Sequence, residues 1–207
     1  MDMVEVPWPD LGLFTVENVK VPLKEDYAFE DMWYLDTKQA APIFKTQADI
    51  ITKYNSKGIV DIGCRHGPVL DYLNHEFDYM GFDTSKEPID IAAKRWKDYN
   101  NIEFRHESWN NKEVFLVDFK VDMVIFSGVL LYREDHFDFF KWVMEFYGAK
   151  NAIIQEPYHD QKYWDDRLIL NTITKELDQY YTHYNIDPIL LDLELFAGRR
   201  LILDVTI

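Results

Sequence analysis

Five short apolar runs are spaced along the middle of the chain. They are "GIVDIGC" from Gly58, "YMGFD" from Tyr79, "NIEFRHES" from Asn101, "VDMVIFSGVLLY" from Val121 and "NAIIQEPY" from Asn151. Helical patterns lie between most of them: "PVLDYLNHE" opens with Pro68, a favoured first-turn residue. "TSKEPIDIAAKRWKDY" offers Thr84 or Ser85 as a cap, with Glu87 as a capping-box partner. "EDHFDFFKWVMEFYG" precedes the fifth run. Strands that alternate with helices over short connections imply a parallel sheet covered on both faces. Such strands read as continuous apolar runs, and "GIV" and "MVIF" do.

The end of the chain breaks this rhythm. After a helix near Trp164 to Tyr184, "ILLDLELF" and "RRLILDVTI" are two strand-like runs joined around Ala197 and Gly198. They read as an antiparallel hairpin. The expected fold is therefore α/β, a three-layer α/β/α sandwich. Its seven-stranded sheet is mostly parallel, with a C-terminal antiparallel hairpin.

The first 36 residues are punctuated by Pro7, Pro9, Gly12 and Pro22, with Trp8, Phe14, Tyr27, Phe29, Trp33 and Tyr34 among them. Aromatics at that density need a surface to pack on, which argues against a flexible linker. From Thr37 to Tyr54, Ile43, Gln47, Ile50, Ile51 and Tyr54 recur at helical spacing, and "NSKG" stops the helix. One domain is expected: a lid and helix over residues 1–57, and a cofactor-binding core over 58–207.

Composition narrows the function. The chain has 207 residues, 47% of them hydrophobic, which excludes a disordered reading. Its formal net charge of −15 argues against nucleic-acid and anionic-membrane partners. Cys64 is the one cysteine, so no intramolecular disulfide forms. No apolar run reaches a membrane span, and "MDMVEVPWPD" lacks the features of a signal peptide. A soluble, cytoplasmic protein is the expectation. No His, Cys or Asp cluster has metal-ligand spacing, so no metal is expected.

In an open parallel sheet, ligands bind beyond the carboxyl ends of the strands. The first run delivers Asp61, Gly63, Cys64, Arg65, His66 and Gly67 there. The second delivers Asp83, Thr84 and Ser85; the third, Glu107, Ser108 and Trp109. The fourth delivers Ser127, Gly128 and Tyr132; the fifth, Glu156, Pro157, Tyr158 and His159. Asp83 follows Asp61 by 22 residues. An acid at about that distance from a glycine turn suits ribose hydroxyls. Its alternative role is to cap the helix that follows.

Taken together, "VDIGCRHG", "GFD", "DMVIFSGVLLY", "AIIQEP" and the closing hairpin resemble the class I S-adenosylmethionine-dependent methyltransferases, over roughly residues 58–207. A dinucleotide-binding oxidoreductase would share the first half but not the hairpin. The resemblance implies S-adenosylmethionine as cofactor. It makes Asp61 the acid that holds the cofactor's ammonium, and Gly63 and Gly67 the close-approach glycines. Asp83 becomes the ribose acid. Glu107, Ser108 and Trp109 stand near adenine, and Ser127 and Gly128 beside the methionine portion. Cys64 and Thr84 complete the cofactor set.

Arg65 is a departure, replacing the middle glycine of the family's acid-x-Gly-x-Gly-x-Gly turn. It is tolerable if φ is negative there and costly if φ is positive. Its guanidinium either reaches a carboxylate of cofactor or substrate, or leans out to local acids. Methyl transfer needs a base only where the acceptor has a proton to lose. His159, His136 and Tyr132 are the candidates, with Glu156 a further one that suits a positioning role better. "SGVLLY" is not the Asn-Pro-Pro-Tyr type of motif found in amino-methylating DNA enzymes. The expected acceptor is a small molecule, with a protein side chain as the alternative. A noncatalytic binding protein that keeps the fold is the reading from another class. Oligomeric state is not legible.

Overall fold

The computed structural model describes residues 40–107, 115–130, 136–158, 166–192 and 199–207. The N-terminal lid segment, Ser108, Trp109, Tyr132, His159 and the hairpin turn at Ala197 and Gly198 lie outside the described residues.

Seven strands form the sheet: β1 (Gly58–Ile62), β2 (Asp78–Asp83), β3 (Ile102–His106), β4 (Met123–Ser127), β5 (Asn151–Tyr158), β6 (Asn185–Asp192) and β7 (Arg199–Thr206). Their order is β3-β2-β1-β4-β5-β7-β6. The first five pair in parallel, and β7 runs antiparallel to both β5 and β6. The expected fold class and closing hairpin are both present. Strand order reverses at β1, which lies between β2 and β4. A crevice at such a reversal is where open α/β sheets bind ligands.

Strand alternation divides the core into two. On one face Ile59, Tyr79, Met123, Ile125, Ile153 and Ile202 pack with Ile43, Ala48 and Ile51 of helix α1 (Ala41–Tyr54). Ala92 of helix α2 (Lys86–Arg95) joins the same cluster. On the other face Val60, Ile62, Met80, Phe82, Val124 and Phe126 pack with Phe140 and Met144 of helix α3 (His136–Tyr147). Ile173 and Leu177 of helix α4 (Asp166–Tyr180) close that layer. Each of the buried Val, Ile, Leu, Met and Phe side chains contributes about 1.5–3 kcal/mol by leaving water.

Helix α1 starts where Pro42 fits the first turn and stops at Asn55, whose φ of 49° is left-handed. Three polar ties fasten it to the sheet. Gln47 Nε2 donates to Ser127 Oγ (3.3 Å), Lys53 Nζ donates to Asp204 Oδ2 (2.7 Å), and the Tyr54 and Thr206 hydroxyls share a hydrogen bond (3.0 Å). Asp204 is 2% exposed, so its carboxylate depends on that ammonium. Lys53→Met should lower the thermal midpoint more than Lys45→Met, which alters an exposed lysine of the same helix; scanning calorimetry compares the two.

Four local expectations are corrected. The run from Pro68 is not an α-helix but a five-residue 3₁₀ turn, Pro68–Tyr72, after which Leu73 is extended. The His75 ring takes the Leu70 carbonyl at 2.7 Å, an acceptor that a continuing helix needs, and packs edge-on against Trp96 and Tyr99. Helix α2 begins at Lys86, and Ser85 makes no side-chain cap bond. The Asp83 carboxylate receives the Ser85 N–H instead (2.8 Å), so the capping box does not form. Helix α4 ends at Tyr180, short of Tyr184. Strand β6 begins at Asn185, ahead of Pro188 rather than after it. It lies at the sheet edge, where a proline leaves no ladder bond unmade.

Candidate functional site

The turn after β1 is built on positive φ. Gly63, Arg65 and Gly67 stand at 80°, 52° and 70°. A Cβ on Gly63 would lie 2.4 Å from the Ser127 carbonyl oxygen, and one on Gly67 would lie 2.8 Å from the Phe104 ring. Both glycines are therefore required by the protein's own packing. Arg65 occupies the costly case, a left-handed backbone with a side chain, worth roughly 1–2 kcal/mol of strain. Its N–H is held by Asp83 Oδ2 at 2.9 Å. Arg65→Gly should relieve the strain and raise stability by about 1 kcal/mol, read as a shift of the urea midpoint at constant m.

Asp83 joins three segments. Its two oxygens accept the N–H groups of Arg65 and Ser85, and its carbonyl accepts the N–H of Glu107 (3.0 Å). The side chain is 6% exposed. Burial raises its pKa, against the two backbone hydrogen bonds and the positive charge of Arg65. Each carboxylate oxygen has a second lone pair, so the amide bonds do not exhaust its capacity for ribose hydroxyls. Its bond to Ser85 stops one residue short of helix α2, whose N-terminus carries no side-chain cap, and the ribose role is compatible with it.

Asp61 lies near the end of β1 and is 3% exposed. The Tyr79 hydroxyl donates to its Oδ2 at 2.8 Å. Its Oδ1 is buried with no hydrogen-bond partner among the described residues. Burial lifts the carboxyl to about 7, the Tyr79 bond pulls it down, and the nearby Asp83 charge pushes it up. A buried acid with one free oxygen is a receptor for a cationic donor. That fits an ammonium group, and it is the feature of this site that most favours the expected cofactor.

The remaining residues arrange themselves around this pair. The Cys64 thiol is buried, and a Cβ on Gly81 would come 2.6 Å from its sulfur. Burial pushes the thiol well up, which keeps it from acting as a thiolate. Ser127 and Gly128 are half-buried, and the Gly128 N–H donates to the Gln155 carbonyl (2.7 Å). Thr84 is exposed, and its carbonyl meets His106 Nε2 (3.0 Å). Glu107 is half-buried at the end of β3. His136 is the first residue of α3. Glu156 Oε1 accepts the Leu130 N–H at 3.0 Å, in the core face opposite Asp61. It orders the loop after β4, which is the positioning role. Among the described residues no group of His, Cys, Asp and Glu has the makings of a metal site. No described helix is long and apolar enough to cross a membrane.

Two contributors escaped the sequence reading. Gln47 registered only as a helical-spacing position, yet it is 1% exposed and bonds Ser127. Tyr79 registered only as a strand residue. Its period-two relation to Asp83 was the available signal, because residues four apart on a strand share a face.

Residues 60–147 match the family model described as a methyltransferase domain. The match spans 88 of the chain's 207 residues. Solved structures share the fold at low identity. The methyltransferase domain of bacterial CtHen1-C is 17% identical with a TM-score of 0.65, covering 82% of this chain and 99% of its own. N-methyltransferase NodS from Bradyrhizobium japonicum, in complex with S-adenosyl-L-homocysteine, is 14% identical with a TM-score of 0.64, covering 84% of this chain and 90% of its own. Magnesium protoporphyrin IX methyltransferase from Synechocystis, with bound S-adenosylmethionine, is 14% identical with a TM-score of 0.60, covering 81% and 79%. No curated protein matches the sequence. The chain thus shares the class I fold of these methyltransferases.

Proposed function

We propose that the chain transfers a methyl group from S-adenosylmethionine to a small-molecule acceptor, at oxygen or nitrogen. The observation that carries this is the buried Asp61 carboxylate, with one oxygen held by Tyr79 and the other without a partner among the described residues. In this reading Asp61 receives the cofactor's ammonium and Asp83 receives ribose hydroxyls. The turn from Gly63 through Arg65 to Gly67 lies along the methionine, beside Ser127 and Gly128, and Glu107 lies toward adenine. When bound, the cofactor supplies an electrophilic methyl on a sulfonium. The protein aligns the acceptor for in-line attack and excludes water. Where the acceptor carries a proton, His159, directly after β5, is our first choice of base, ahead of His136 and Tyr132.

Small acceptors are favoured by the net charge of −15, which repels nucleic acid. NodS and the porphyrin enzyme, named for N-methylation and for a small-molecule substrate, support the same class. The test is transfer of radiolabelled methyl from S-adenosylmethionine to a panel of small amines, hydroxyl compounds and carboxylic acids. Labelled product supports the reading. Cofactor binding with no transfer to the panel or to protein substrates would point to a noncatalytic binding protein. Deleting residues 1–36 should abolish transfer yet spare cofactor binding if that segment covers the acceptor.

A further inference from the structure

Tyr79 stands on β2 four residues before Asp83, on the sheet face that carries Asp61. It is 1% exposed. Its ring packs against Phe104 with centroids 5.6 Å apart, a contact that phenylalanine would make equally well. The hydroxyl is the part that packing does not require. A buried tyrosine hydroxyl needs a partner, and this one donates to Asp61 Oδ2 at 2.8 Å.

We propose that Tyr79 is a positioning residue of the cofactor site: its hydroxyl fixes the orientation of the Asp61 carboxylate, and so presents Oδ1 to the cofactor's ammonium. This rests on the role of Asp61 proposed above. A carboxylate turns broadly about its terminal torsion, and a hydrogen bond to one oxygen sets where the other points. The same bond favours the ionised form, against burial and the Asp83 charge, both of which favour the proton.

Among the described residues the surroundings leave this task to Tyr79. Asp83 of β2 and the Cys64 thiol in the turn are the neighbouring ionisable groups. Beside Asp61, β4 presents Ile125 in register, and the strand has no ionisable residue. On α1, Lys45 and Asp49 are exposed and Lys53 is committed to Asp204. In the 3₁₀ turn, Tyr72 is exposed and Asp71 pairs with Arg95.

Tyr79→Phe tests the idea, with S-adenosylhomocysteine affinity measured by calorimetry between about pH 5.5 and pH 9. In the wild type, affinity falls as pH drops through the Asp61 pKa. The variant should bind about tenfold more weakly near neutral pH, with the acid midpoint moved up by about one unit and the deficit narrowing in alkali. An unchanged profile, or a uniform loss with an unchanged midpoint, would overturn the proposal. Asp61→Asn runs in parallel. If Asp61→Asn binds like the wild type, the reading of Asp61 itself fails. If it does not bind while Tyr79→Phe is unaffected, only the Tyr79 proposal fails. Should Tyr79→Phe not fold, fluorotyrosine labelling of the wild type supplies a stronger donor. The midpoint should then move down, and a fixed midpoint would contradict the assignment.

Discussion

Asp61→Asn should cost at least about a hundredfold in affinity for S-adenosylhomocysteine at pH 8, while the protein itself becomes harder to unfold. The two effects share one cause. The carboxylate is buried with Oδ1 unpartnered among the described residues, so in the proposed reading its charge serves a ligand and opposes the fold. The sign follows from linkage. An acid whose folded pKa is raised binds its proton more tightly when folded. Its favourable contribution is complete below the unfolded value of about 4 and is lost as pH rises through the folded value of about 7. Above that the penalty is constant and amounts to a few kcal/mol. Denaturant titrations should therefore show the stability gain of Asp61→Asn growing from acid to neutral pH and then levelling. A gain independent of pH would mean that the burial of charge is not the cause.

Asp83→Ala should cost about 2 kcal/mol or more of stability together with cofactor binding. It leaves the N–H groups of Arg65 and Ser85 without their acceptor, and Arg65 is the strained member. In an Arg65→Gly background the stability cost should shrink, because glycine holds the left-handed conformation unaided. That double variant separates the two roles of Asp83. If the acid binds ribose, affinity stays lost after stability returns. If it serves only the turn, affinity returns as well.

The architecture was legible because it follows from pattern. Continuous apolar runs such as "GIV" and "MVIF" announced strands buried on both faces, and they are. The break in rhythm after Tyr158 announced the antiparallel pair. The errors came where one side chain overrode a local preference. His75 takes the Leu70 carbonyl while its ring packs on Trp96 and Tyr99, contacts across the chain that no local propensity records. The strand expected from Ile189 starts earlier, at Asn185, with Pro188 inside it at the sheet edge.

The site was half legible. Asp61, Gly63, Gly67 and Asp83 could be placed from spacing, and the structure gathers them at the β1 reversal. The replacement at Arg65 was visible, but its φ was not, and neither was the clamp from Asp83 that holds it. Tyr79 and Gln47 were hidden for a different reason. An amphipathic side chain in a core position reads as packing until its polar end is seen to meet Asp61 or Ser127.

Titration of the 207-residue chain with S-adenosylmethionine in a calorimeter bears most directly on the central claim. Saturable heat with one cofactor per chain, weakening in acid and absent from Asp61→Asn, is the predicted result. No heat at millimolar cofactor, or equal binding by Asp61→Asn, would contradict it.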